Sequence, residues 1–326
     1  MAGGEAMKKI YRSYFKKYFE EYMEFRLSLG FSMRNTKYVF IEFDNFIFKN
    51  FPKSKFITRE MIITYIATTK HLHSSSRSYR VTLLRVFCKY LYQQCPKTYI
   101  PEPKLVKYGK RNVIPYIFND CEIESILKSL KQMPKKNLLR ETTFVIVGLL
   151  YSTGLRVGEV SRLNLGDVDL KGKILFIRRS KFYKSRLVPI SDSVVETLKL
   201  YKLKRLGHKR TKKQDDPFFI GMTGNRVFEN AIGKRFRKVV NELSLFTDNG
   251  TRPRLHDLRH TFATRSLEEL YENGKNPESY LPALATYLGH VNLTYTQTYL
   301  HPTNNTLKIA GDKFNKYSTI TLQEKL

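Results

Sequence analysis

In most segments between Lys8 and Tyr299 the apolar residues recur at three- and four-residue steps. Between Val168 and Pro189 the period falls towards two. A helix returns the same face to its neighbours every 3.6 residues and a strand every two. The pattern therefore predicts a mainly α chain carrying one small antiparallel sheet. Strands are expected at Ile174-Leu175-Phe176-Ile177 and Leu187-Val188-Pro189-Ile190, flanking a basic turn.

Prolines divide the helical part. Pro96, Pro101 and Pro103, then Lys104, Lys107, Lys110 and Arg111, predict a basic linker over 96–112, because proline cannot continue a helix. Before it, four helices are expected within 8–95: Lys8 to Leu29, closed by Gly30; Met33 to Lys49, broken by Phe51-Pro52; Glu60 to Thr69, capped by Thr58; and one after Ser74–Ser76 with Val81, Leu84, Phe87, Cys88 and Leu91 on one face. Together they make a small bundle. After the linker, 113–301 opens with Asn119-Asp120-Cys121-Glu122, a helix N-cap with Glu at N3. A buried apolar helix over Thr142–Tyr151 follows, ended by Thr153-Gly154, and a short helix starts near Arg156. Beyond the strands come a helix capped by Ser191 and reaching Lys204, a charged loop over 207–216, and a helix from Asn230 to Leu243 exposing Lys234, Arg235, Arg237 and Lys238. The chain then stays helical through Tyr299 and ends in a tail, 302–326.

Lys and Arg total 58 against 29 Asp and Glu in 326 residues, a net charge of 58 − 29 = +29, while 41% apolar residues support real cores. Such an excess repels itself unless a polyanion neutralises it, and nucleic acid is the usual one. Cys88, Cys95 and Cys121 show neither metal-ligand spacing nor a disulfide framework, which predicts reduced thiols in an intracellular protein. No apolar run approaches the roughly 18 residues of a membrane helix, and no apolar signal-peptide core is present. A cytoplasmic protein without membrane contact is expected. Met1–Met7 reads as an unstructured leader, with Met7 the expected start.

The chemistry-bearing residues cluster late. Arg254-Leu255-His256-Asp257-Leu258-Arg259-His260 places imidazoles and guanidinium groups at the start of a helical segment. Leu288-Gly289-His290 and Thr296-Gln297-Thr298-Tyr299-Leu300-His301 follow, and Thr153-Gly154-Leu155-Arg156-Val157-Gly158-Glu159 lies upstream. Arginine forks match phosphate oxygens bidentately and stay charged. Tyrosine serves as a covalent nucleophile. The set suits chemistry on a phosphodiester.

In this order the motifs resemble the tyrosine recombinases, the phage-integrase family. The resemblance covers 113–301 well and the helical N-terminal part more weakly. It implies an N-terminal four-helix core-binding (SAM-like) DNA-binding domain and a C-terminal mixed α/β catalytic domain. It assigns catalysis to Arg156, Lys181, His256, Arg259, His290 and Tyr299. The arginines would clamp the non-bridging oxygens, where charge grows in the transition state. His290 would add a hydrogen bond. Tyr299 would attack, giving a 3′-phosphotyrosyl link, and the arginines are expected to lower its pKa from about 10. His256 is placed to accept that proton or bind phosphate, and Lys181 to protonate the leaving 5′-oxygen. Glu159 would orient an arginine or histidine.

Other readings stand beside these. Tyr295 is a rival nucleophile and Lys184 a rival for Lys181, with either lysine an alternative DNA-backbone contact. Ser180 and Phe182 flank Lys181 where the family often has glycine. His260 is expected to pack or bond inside the fold, and His301 to assist Tyr299 or simply be a satisfied polar residue. His71 and His73 read as loop residues. His256 and His260 have zinc-pair spacing but lack the intervening Glu, so no metal is expected, and no cofactor. Leu270–Ser279 is expected as a surface loop, longer than in common family members.

The expected partner is double-stranded DNA with specific recombination sites, held in a C-shaped clamp. Lys107, Lys110, Arg111 and Lys184 would lie along the backbone, and Arg77, Arg80 and Arg85 in a major groove. The resemblance also implies a homo-tetramer on DNA, a monomer or weak oligomer when free, and room for accessory DNA-binding proteins. Leu307, Ile309, Ala310 and Phe314 in the tail would dock on a neighbouring protomer or pack in cis. A type IB topoisomerase-like enzyme and a non-catalytic DNA-binding protein remain the alternatives to a site-specific recombinase acting in integration, excision or transposition of a mobile element.

Overall fold

The computed structural model describes residues 10–299 apart from 32, 108–114, 134–136, 179–184, 208–212, 291 and 298, with backbone alone at 34 and 295. The chain divides into two compact units, Met1–Val113 and Ile114–Leu326.

The first unit holds α1 (Lys16–Ser28), α2 (Arg34–Asn50), α3 (Arg59–Thr68) and α4 (Ser74–Tyr92). Its core is built largely of aromatic rings. Phe19 stacks on Phe87 with centroids 4.3 Å apart, and Phe43 meets Tyr65 edge-on at 4.9 Å. Such pairs add about 0.5–1.5 kcal/mol beyond the area they bury. Thr58 caps α3 as expected, its hydroxyl accepting from the Met61 amide at 3.2 Å.

Three expectations change here. The first helix begins at Lys16 rather than Lys8. The fully buried Asp44 carboxylate of α2 accepts from the backbone N–H of Arg12 (2.6 Å) and Ser13 (3.1 Å) and from the Ser13 hydroxyl (2.5 Å). Those backbone donors are thereby tied to a side chain, and the chain enters the helix only after Phe15. His73 is the N-cap of α4, its Nδ1 accepting from the Ser75 amide at 3.2 Å. The basic linker also starts later than the prolines suggest. Tyr99, Ile100, Leu105 and Val106 pack on the first core, the Tyr99 amide donates to the Ile57 carbonyl at 2.8 Å, and Arg85 donates to the Pro101 carbonyl.

The second unit is organised around α6 (Leu138–Thr153), which packs against α5 (Asp120–Gln132), α7 (Val157–Ser161), α8 (Asp192–Leu206), α9 (Glu229–Glu242) and α10 (Leu255–Glu272). A helix covered on so many sides must be apolar over most of its surface, which explains the apolar run Phe144–Leu150. Asn119 and Glu122 form the expected reciprocal cap of α5. Ser191 stands at the N-cap of α8, but its hydroxyl pairs with that of Ser193 at 3.0 Å rather than with backbone.

The sheet is antiparallel in the order β1 (Val168–Asp169), β2 (Ile174–Ile177), β3 (Arg186–Pro189), with Leu175 opposite Val188. At two residues, β1 is too short to show a period in sequence. Asp169 closes the turn after it, accepting from the amides of Lys171 and Gly172. The segment Leu270–Ser279 is not an extended loop. It completes α10, turns at Gly274 and begins α11 (Pro277–Leu288), which Asn276 caps. Last comes α12 (Thr294–Gln297). No described helix is long and apolar enough to cross a membrane.

Candidate active site

Two left-handed glycines frame the site. Gly154 (φ 61°) ends α6 and Gly289 (φ 69°) ends α11. A left-handed residue stops a helix abruptly and leaves its last carbonyls free to accept other donors. Arg259, on the first turns of α10 and 1% exposed, uses both ends: Nη1 donates to the Gly154 carbonyl at 2.8 Å and Nη2 to the Leu288 carbonyl at 2.7 Å. Asp257, whose carboxylate accepts from the Arg254 amide at 2.6 Å, anchors the start of that helix.

The turn after Gly154 carries Arg156 at the N-cap of α7. Its Nη1 donates to Glu159 Oε1 at 2.8 Å, its amide to Oε2 at 3.0 Å, and its Nη2 reaches the Gly289 carbonyl at 3.4 Å. The turn after Gly289 carries His290, whose Nδ1 bonds the Thr296 hydroxyl at 2.8 Å. Tyr299 is buried beside it. Its ring lies nearly parallel to that of His290, with centroids 6.1 Å apart, and 5.5 Å from that of His260. His256 meets His260 edge-on at 4.8 Å, with an edge reaching solvent.

Burial first, and then charge, set the protonation states. Burial, then the cations Arg259 and Arg156, bring His290 down to about 4, so it is neutral at pH 7. The closely packed surroundings of the His256 ring, then His260, Arg259 and Arg254, lower that imidazole too. Arg259 itself falls to about 10, through burial and the nearness of Arg156. Tyr299 departs from expectation. Burial raises its pKa, and this outweighs the lowering by Arg259 and Arg156. The phenol is therefore protonated at rest, and any reaction at its oxygen would require a base.

Residues 118–306 match the profile of the phage integrase family. The chain is 34% identical over 294 residues to a Sinorhizobium fredii (strain NGR234) protein described as an integrase/recombinase, covering 88% of this chain and 93% of the relative. The chain belongs to the phage integrase family of tyrosine recombinases. Another member, the tyrosine recombinase XerC of Staphylococcus saprophyticus, is 30% identical over 245 residues, 74% of this chain and 75% of XerC. The family fold is shared with XerH, a site-specific recombinase solved with its difH substrate (TM-score 0.62, 21% identity, 85% of this chain and 78% of that one). It is shared also with the Tn1549 transposon integrase solved with transposon right end DNA (TM-score 0.63, 17% identity, 93% and 100%).

Five of the six residues that the family resemblance assigns to catalysis thus converge: Arg156, His256, Arg259, His290 and Tyr299. Lys181 and its rival Lys184 lie outside the described residues, as do Lys110, Arg111, His301, the tail and the Tyr295 side chain. His260 packs against both His256 and Tyr299, inside the site rather than apart from it. On α4, Arg80 is paired with Glu42 at 2.7 Å and Arg85 with the Pro101 carbonyl, so two of the three arginines expected in a DNA groove are engaged within their own unit. Arg77 is half-buried and Lys107 exposed.

Sequence reasoning missed Arg186, on β3. Its Nη1 and Nη2 fork onto Glu159 at 3.1 and 2.9 Å, and its Nε donates to the Tyr287 carbonyl at 2.8 Å. Burial alone would raise the Glu159 carboxyl. The Arg186 fork and charge, then Arg156, hold it at about 2. The one available signal was an arginine at the head of a strand otherwise read as apolar. Thr296, the fully buried partner of His290, also went unnoticed.

Proposed function

We propose that this chain cuts and rejoins duplex DNA at specific sites, with Tyr299 as the nucleophile. Its Oη attacks the scissile phosphorus, the P–O5′ bond breaks, and a 3′-phosphotyrosyl link forms with a free 5′-hydroxyl. His256, neutral at pH 7, takes the phenolic proton. Lys181 gives a proton to the leaving 5′-oxygen. Arg156 and Arg259 hold the non-bridging oxygens, and His290 adds a donor where charge develops. The covalent link conserves the energy of the broken bond, so the step needs neither metal nor ATP.

The observation that carries this reading is a buried tyrosine beside two arginines that are held before any substrate arrives, Arg259 by two backbone carbonyls and Arg156 by Glu159 and the Gly289 carbonyl. Binding alone requires no such tyrosine. Strand exchange would proceed through a Holliday junction in a homo-tetramer on two sites, joined by tails docking in trans, in integration, excision or transposition of a mobile element. Lys107, Lys110 and Arg111 would follow the phosphate backbone, giving affinity that falls steeply with salt.

The test is a nicked suicide duplex, made from the ends of the element that encodes the protein. Wild type should form a covalent protein–DNA adduct and Tyr299→Phe none. An equal adduct from the variant would transfer the role to another residue. Specific binding with no wild-type adduct would leave a DNA-binding protein on a recombinase fold. Cleavage and relaxation without strand exchange would identify a topoisomerase-like enzyme.

A further inference from the structure

Arg186 is built unlike Arg156, which is proposed to hold phosphate. All three of its guanidinium nitrogens donate inside the protein, and its side chain is 11% exposed against 27% for Arg156. Its partner Glu159 is still more enclosed, at 2%. A buried ion pair stabilises a fold less than well-packed apolar groups of the same volume, so stability alone does not account for this one.

Geometry supplies a reason. Glu159 has two claimants, Arg156 and Arg186. Because Arg186 forks across both oxygens, the Arg156 guanidinium bonds the carboxylate through Nη1 alone, and its Nη2 points to the Gly289 carbonyl. Without Arg186, the buried carboxylate would have Arg156 as its remaining cationic partner and would draw both Nη atoms onto itself, away from a phosphate. The same guanidinium lies flush on the turn that delivers His290. A Cβ on Gly289 would stand 2.7 Å from Arg186 Nη1 and 3.0 Å from its Cζ.

We propose that Arg186 is a positioning residue: by forking onto Glu159 and gripping the Tyr287–Gly289 turn, it sets Arg156 and His290 in register with each other before substrate binds. The catalytic consequence rests on the recombinase reading; the positioning itself does not.

The experiment has two arms, using the full chain with Arg186→Ala, Arg186→Lys and Glu159→Gln. The first is NMR of the free protein. Arg186→Ala should speed solvent exchange of the Arg156 guanidinium protons and shift the His290 ring signals. Arg186→Lys, which keeps the charge but not the fork, should do the same to a smaller degree, staying folded with a melting temperature lowered less than that of Arg186→Ala. The second arm is single-turnover cleavage of the suicide duplex at saturating protein. Arg186→Ala should slow it about 10²-fold, as loss of one preorganised donor does, with DNA affinity unchanged. Adding Glu159→Gln should slow it no further, because the two act as one unit. A folded Arg186→Lys variant with wild-type Arg156 and His290 signals would overturn the proposal. So would equal losses of cleavage and affinity. If wild type itself forms no adduct, the recombinase reading fails and the NMR arm alone decides the role of Arg186.

Discussion

Gly289 and Gly274 offer a matched pair for measuring what the Arg186 contact is worth. Both end a helix, with φ of 69° and 72°, and both donate a backbone N–H to a carbonyl of that helix at 3.1 Å. Alanine in this region costs about 1–2 kcal/mol through the clash of Cβ with its own backbone. At Gly274 that is the whole cost, since a Cβ there meets nothing within 4 Å. At Gly289 the new Cβ would stand 2.7 Å from Arg186 Nη1, so the guanidinium must move. Moving it breaks one or two charge-assisted hydrogen bonds to the buried Glu159, at about 1.5–3 kcal/mol. Gly289→Ala should therefore lose about 2.5–5 kcal/mol where Gly274→Ala loses about 1–2. The assay is urea unfolding of the two variants, compared at constant m. Cleavage should follow the same division, with Gly274→Ala active and Gly289→Ala impaired. Equal destabilisation would refute the argument, because it would mean that Arg186 yields without consequence.

Other consequences can be checked more briefly. In Lys181→Ala, a substrate with sulfur at the bridging 5′ position should restore cleavage, because a thiolate leaves without a proton; rescue of Lys184→Ala instead would assign the acid to that residue. His290 is held at about 4 in the folded protein against an ordinary value of 6.5. Between those values the unfolded chain binds a proton that the folded one does not, so stability falls as pH drops from 6.5 to 4, by about 1–3 kcal/mol after solvent screening, and levels off below. His290→Gln should remove that share of the slope in urea titrations across the window; an unchanged slope would mean the ring is not held neutral. Asp44→Ala should cost the first unit about 2–4 kcal/mol, since it strips the partners from two backbone amides and a hydroxyl. Wild-type unfolding of that variant would mean that residues 10–15 are solvated just as well by water.

The fold was legible where one element alone writes a period. The α6 helix, with its apolar run Phe144–Leu150, and the reciprocal cap at Asn119 and Glu122 declare themselves from local residues. Elements defined by a distant partner did not. The start of α1 depends on Asp44, 31 residues from Ser13, and nothing near Lys8 signals it. At the site, Arg156, Arg259, His290 and Tyr299 stood out because each lies in a short local motif. Arg186 did not, because its meaning comes from Glu159, 27 residues away, and from a carbonyl 101 residues away. The pKa of Tyr299 was misjudged for a related reason: sequence shows which cations exist, while the depth of the phenol, which proves the larger effect, is a property of the packed site.

The way the cations are held bears on how such a site can receive a phosphate. Arg259 is fixed by carbonyl oxygens of Gly154 and Leu288, which orient it without cancelling its charge. A carboxylate in their place would hold it as firmly, but would have to be displaced or would repel the arriving anion. Where a carboxylate does occur, at Glu159, Arg186 takes up its charge, so Arg156 is oriented by an ion pair that is already balanced. The local sum of Arg156, Arg186, Arg259 and Glu159 is two positive charges, facing neutral histidines. That is an unfavourable arrangement in the free protein, since Arg156 adds to the depression that burial already imposes on Arg259, and an anion relieves it. The stabilisation is greatest for the state with the most negative charge, which for phosphodiester cleavage is the pentavalent transition state rather than the bound substrate.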